Sequence, residues 1–110
     1  MTMKIRIILT AAALLGLAAC SAPSPDPSNP DQAACVNFSN ALHYGDTRSE
    51  QSRSEITRLA GKPSDPELAQ HQAEMFNAVG KRLPWSIAAV QFADRCDSLF
   101  TNLMIDRDKL

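Results

Sequence analysis

The chain has 110 residues, 21% of them charged, and eleven basic residues against twelve acids give a net charge of −1 at neutral pH. That balance argues against nucleic acid as a partner, because neutralising phosphates takes a clustered basic face and no basic run is visible. A small domain is all that this length holds, so its stability leans on more than core size, and three cysteines are available for the purpose.

Met1 to Arg6 carries Lys4 and Arg6 and no acid, and thirteen residues from Ile7 to Ala19 follow with only Thr10 polar. This is the basic n-region and apolar h-region of an export signal. A permanent membrane span needs about 20 apolar residues, so the run is short for one and cleavage is expected. It closes on Leu17-Ala18-Ala19-Cys20. The quartet resembles the lipobox of bacterial lipoproteins and matches it at all four positions. The resemblance implies that Cys20 Sγ is diacylglycerylated, that the Ala19–Cys20 bond is cut, and that Cys20 becomes the first residue. The chain would then be exported and anchored in the bacterial cell membrane by lipid on Cys20, with its domain on the extracytoplasmic side. An uncleaved N-terminal helix with an incidental cysteine is the alternative. Two acyl chains make attachment stable, so the folded part need not touch lipid. Removing residues 1–19 leaves nine basic residues against twelve acids, a balance that argues against adhesion to anionic headgroups.

With Cys20 committed to lipid, Cys35 and Cys96 remain, and an exported chain meets an oxidising compartment. A Cys35–Cys96 disulfide is therefore predicted. Two free buried thiols or a redox-active pair are the alternatives, and no Cys-x-x-Cys spacing supports the second.

After Cys20, Pro23, Pro25 and Pro27 alternate with Ser21, Ser24 and Ser28. This composition cannot bury a core and makes residues 20–29 a tether, extended at about 3.1 Å per residue. A helical domain is expected over residues 30–105. Asn29-Pro30-Asp31-Gln32 supplies a cap, a first-turn proline and an acid, and Cys35, Phe38, Ala41 and Leu42 recur at helical spacing, so a helix is predicted over 30–44 with Gly45 as its stop. Thr47-Arg48-Ser49-Glu50 has the capping-box pattern and predicts a solvated helix over 48–60, from which only Ile56, Leu59 and Ala60 can enter a core; its polar start is alternatively loop. Asp65-Pro66-Glu67 repeats the cap-then-proline entry. Leu68, Gln72, Met75, Phe76, Val79 and Leu83 then mark one face of a helix reaching Leu83, where Pro84 breaks it. In the last helix Trp85, Ala89, Phe92, Cys96, Leu99 and Leu103 alternate at steps of four and three, and Ile87, Val90, Ala93 and Phe100 widen the stripe. Residues 106–110 form a charged tail expected to fray. No stretch alternates as a half-buried strand does, and the fold class expected is all-α, a three- or four-helix bundle.

His43 and His71 fall in different predicted helices without partners at metal-ligand spacing, so no metal or cofactor is expected. Asp94, Arg95 and Asp97 read as a solvated face. Asp46, Glu50 and Glu55 lack the ligand order and internal glycine of a calcium loop. There is no Gly-x-Ser-x-Gly, and Gly45, Gly61 and Gly80 stand alone, so neither a nucleophile elbow nor a phosphate loop is present and an enzyme is not expected. Trp85, the single tryptophan, is a candidate partner contact, since tryptophan is favoured at binding hot spots; alternatively it caps the end of the core. In layout the chain resembles the short lipoproteins of actinobacteria and their phages. The function expected is a membrane-anchored, envelope-exposed interaction module. A phage- or prophage-encoded superinfection-exclusion lipoprotein that engages an incoming phage component, and a carrier of a small apolar ligand, are the alternatives.

Overall fold

Proline stands in the first turn of three of the four helices, and the computed structural model, which describes residues 29–110, follows such local signals closely. The lipobox, Cys20 and the Pro/Ser tether lie outside the described residues. Within them the chain is all-helical: α1 (Pro30–Tyr44), α2 (Glu50–Leu59), α3 (Pro66–Ala78), α4 (Arg82–Leu99) and a short 3-10 helix (Arg107–Lys109), with no strand among the described residues.

Asn29 holds an extended backbone at φ −121° while its side chain accepts from the N–H groups of Asp31 and Gln32, both at 3.1 Å. These are donors that a helix start leaves unsatisfied. The Asp31 carboxylate in turn accepts from the N–H groups of Ser64 and Asp65, at 2.7 and 2.8 Å, which ties the α2–α3 loop to the start of α1. Gly45 ends α1, though at φ −90° and not in the left-handed conformation usual for a glycine stop. Space is what selects it, because a Cβ there would lie 2.8 Å from Ile56 Cδ1 and 2.9 Å from the Ala41 carbonyl oxygen.

Three helix ends differ from expectation, and one of them is the end of α4, which stops at Leu99 where the stripe ran on to Leu103. α2 starts later, at Glu50, with Ser49 as its cap accepting from Ser52 N–H at 3.3 Å. Thr47 is instead buried, and its hydroxyl donates to the Lys109 carbonyl at 2.7 Å. α3 ends at Ala78 and not at Leu83: the chain turns through residues 79–81, and α4 takes Pro84 into its first turn, where a proline has no helical hydrogen bond to lose. Leu83 and Phe76 consequently face outward, and so does Ile87 of the expected α4 stripe.

The core is built from Phe38 and Leu42 of α1, Ile56 of α2, Leu68 and Met75 of α3, and Trp85, Ala89, Phe92 and Ala93 of α4, with Ala60 just past α2. The Cys35–Cys96 disulfide crosses it between α1 and α4 with a Cα–Cα distance of 5.6 Å, and both residues are fully buried. One turn away the Phe38 and Phe92 rings pack at 4.8 Å between centroids, tilted by 52°.

α2 has too few apolar residues to dock by burial alone, and polar side chains complete the attachment. Leu59 stays largely outside, whereas Arg53 and Thr57 are buried. Arg53 Nε donates to the Val79 carbonyl and Nη1 to the Thr47 carbonyl, both at 2.9 Å. Thr57 Oγ1 donates to Arg53 O at 2.7 Å and accepts from Trp85 Nε1 at 2.9 Å, while Gln72 Nε2 donates to the carbonyls of Thr57 and Gly61. Each of these donors meets an acceptor that the fold brings to it, which is what lets them sit inside.

The expected fraying of the C-terminal tail is not what the structure has. Asn102 adopts φ 69°, and the chain then runs beside the second half of α1 with Leu103, Ile105 and Leu110 packed on the core. Ser39 Oγ donates to Met104 O, Lys109 Nζ to the carbonyls of His43 and Gly45, and Arg107 pairs with Asp94 and Asp97. The apolar residues interleaved with the charges supply the burial that a purely charged tail lacks.

Arg95 grips the cap of α3: its Nη2 lies 2.7 Å from Asp65 Oδ1 and its Nε 2.9 Å from Oδ2. These bonds, with the Leu68 N–H on the same carboxylate, hold the Asp65 carboxyl at about 2, well below its ordinary value. A carboxyl depressed by folding stabilises fully above its unfolded pKa near 4 and loses that contribution as pH falls through about 2. Between pH 4 and 2 the melting temperature of Asp65→Asn is therefore expected to fall less steeply than that of the native chain. Equal slopes in circular dichroism melts would show that the pair contributes nothing.

Candidate functional site

α1 and α2 each turn a row at positions i, i+3, i+4 and i+7 toward a shared groove: Asn37, Asn40, Ala41 and Tyr44 on one side, Ser52, Glu55, Ile56 and Leu59 on the other. The groove encloses about 440 Å³, within the roughly 300–1,000 Å³ of small-molecule sites. Ala41 and Ile56 make its apolar floor, and Gly45 closes one end by bringing the backbone against Ile56. At the rim Tyr44 is 85% exposed and Leu59 40%. Tyr44 meets water over most of its surface, with the His43 ring nearly perpendicular to its own at 4.7 Å between centroids.

The polar rim is largely occupied internally. Ser52 Oγ accepts from Asp46 N–H at 2.9 Å, and Glu55 pairs with Arg58 one turn along α2. What the groove offers a ligand is thus an apolar trough edged by one tyrosine and one leucine, with the Asn37 and Asn40 amides beside it. Such a surface suits the apolar side chains of a partner helix or strand.

The sequence-predicted site residues are placed otherwise. Trp85 is fully buried with its indole N–H on Thr57, so it serves the core and presents no surface to a partner. Cys35 and Cys96 are bonded to each other in the interior. His43 is exposed, 3.7 Å from Asp106, and His71 Nδ1 lies 2.8 Å from Glu74 on its own helix, so the two histidines do not converge. Among the described residues no three His, Cys, Asp or Glu side chains are grouped to hold a metal ion. Asp94 and Asp97 share Arg107, while Arg95 turns to Asp65 and Glu67. Asp46 pairs with Arg48, and Glu55 with Arg58. No helix among the described residues is long and apolar enough to cross a membrane.

Sequence reasoning missed the groove because it placed Leu59 in the core and gave Tyr44 no role. The signal present in the chain was the pair of rows at helical spacing; what it lacked was the crossing of α1 over α2. Comparison with protein-family models, curated proteins and solved structures finds no match to the chain.

Proposed function

We propose that the protein is a membrane-anchored lipoprotein that uses the α1–α2 groove to bind a partner protein in the bacterial envelope. The observation that carries this reading is the apolar trough with Tyr44 and Leu59 exposed at its edge, a concave surface with an apolar floor. The lipid on Cys20 provides the anchor, and the tether lets the domain reach its partner. Confinement to the membrane raises the effective concentration of a partner held there, so a weak groove suffices. Nothing in this reading asks for a catalytic step or a cofactor. A phage component met at the cell surface is the same binding act with a different partner.

The test is capture from detergent-solubilised envelope by the lipidated protein. Leu59→Glu and Tyr44→Ser are expected to weaken retention of the captured protein at least tenfold, or about 1.4 kcal/mol, while Leu83→Ser on another face retains it. Cys20→Ala is expected to lose lipid labelling and leave the membrane fraction. Capture unchanged by both groove variants would rule out the groove as the binding surface, and membrane retention of Cys20→Ala would rule out the anchor. A small apolar molecule carried in by the purified protein, seen by native mass spectrometry and lost in Leu59→Glu, would replace the partner protein with a carried ligand.

A further inference from the structure

Arg48, Arg82 and Lys109 come from the α1–α2 loop, the first turn of α4 and the C-terminal segment. The fold brings all three to one concavity of about 350 Å³, completed by Gly45, Asp46 and Thr47. Their charges are poorly compensated there. Lys109 Nζ donates to two carbonyls, of His43 and Gly45, and to no acid. Arg82 makes no ion pair among the described residues. Only Arg48 has a carboxylate, with its Nε 3.1 Å from Asp46.

A fourth cation stands behind the wall. Arg53 is 4% exposed, and its guanidinium donates to two carbonyls, that of Thr47 in the lining and that of Val79. Its guanidinium charge adds to the field of the concavity. The Asp46 carboxyl is held below its ordinary value, chiefly by the Arg48 hydrogen bond, with Arg82 adding to the effect. In the lining and the wall behind it, Asp46 alone stands against four positive charges. Arg82 also opens α4, whose start has no side-chain cap and no acid in its first turn, leaving the positive end of the helix dipole uncompensated. Cations gathered in a concave site repel one another and focus the field outward, and an anion relieves both.

We propose that this concavity binds a phosphate group, carried either by a soluble phosphate ester or by the headgroup of an anionic phospholipid. Two guanidinium groups and one ammonium suit phosphate oxygens better than a single carboxylate, because the planar fork donates two parallel bonds to them. The concavity adjoins the α1–α2 groove at Gly45 but is lined otherwise by different residues, and it does not rest on the anchor at Cys20. It also corrects the expectation drawn from net charge: a mildly acidic chain carries a locally basic pocket.

The experiment is a titration of the full-length chain in detergent, read by amide chemical shifts at Gly45, Arg48 and Arg82. Inorganic phosphate, glycerol phosphate and a short-chain phosphatidylglycerol are the three probes. Saturable shifts confined to this site are expected, with affinity falling at least tenfold in Arg82→Ala and again in Arg48→Ala/Arg82→Ala. Both side chains are exposed, so the variants are expected to melt with the native chain; Lys109, which fastens the C-terminal segment, is left in place. Tighter binding of glycerol phosphate assigns a soluble ester, and tighter binding of phosphatidylglycerol assigns a headgroup. Absence of saturable shifts with all three probes, or equal affinity in the folded double variant, overturns the proposal.

Discussion

Replacing both Cys35 and Cys96 by alanine is expected to lower the stability of the fold by about 4 kcal/mol, the chain entropy released by opening a loop of this length. The two residues are 61 apart in sequence, so the bond restrains most of the described chain in the unfolded state. For a domain of this size the loss corresponds to a fall in melting temperature on the order of 15–30 °C. Total stabilities are only about 5–15 kcal/mol, so the variant is expected to sit close to unfolding at ambient temperature. Calorimetry of the double alanine variant, and of the native chain with and without reductant, measures it. Superimposable melts would mean that Phe38, Phe92 and their neighbours hold α1 to α4 without the covalent tie. The consequence reaches the groove, because α1 forms one of its walls and is bonded through Cys35 to α4.

The second large effect is expected at Trp85. Its side chain is fully buried, and Trp85→Ala removes the largest fully buried side chain as well as the bond to Thr57, for a loss of about 3–5 kcal/mol. Trp85→Phe separates the two contributions: it retains most of the ring volume and loses the indole N–H, so it is expected to cost about 1–2 kcal/mol. Thr57 Oγ1 still donates to the Arg53 carbonyl in that variant, which spares it from being stranded. Denaturant unfolding reads both variants. Trp85→Phe is also expected to capture a groove partner as the native chain does. Unchanged stability together with lost capture would return Trp85 to the role of a partner contact.

The helix starts at Asn29-Pro30 and Asp65-Pro66 were legible because cap and proline act on the next few residues and on nothing else. The start of α2 was only half legible. Thr47 and Ser49 are both competent caps, and the choice falls to Ser49 because the C-terminal segment takes the Thr47 hydroxyl at the Lys109 carbonyl. Pro84 misled for a related reason: it fits the end of a helical stripe and the first turn of the next helix equally well, and the apolar spacing of Leu83 continued across the real turn. Arg53 was illegible altogether. An arginine in a polar stretch reads as solvated until the carbonyls of Thr47 and Val79 are brought to it.

Local sequence was enough for the helical character of the described chain, the start of α1 and the opening of α3 at Asp65-Pro66, since caps, prolines and apolar period act over a few residues, and the Cys35–Cys96 pairing followed from the expectation that Cys20 carries lipid. Tertiary structure decided which polar side chains go inside, that Trp85 faces the core, that the last residues dock, and that a groove and a basic pocket exist at all. Each of these depends on groups far apart in sequence: Thr57 with Trp85, Thr47 with Lys109, Tyr44 beside Leu59, Arg48 beside Arg82. The free energy of such a contact exists only once the helices have crossed, so no local pattern in the chain encodes it.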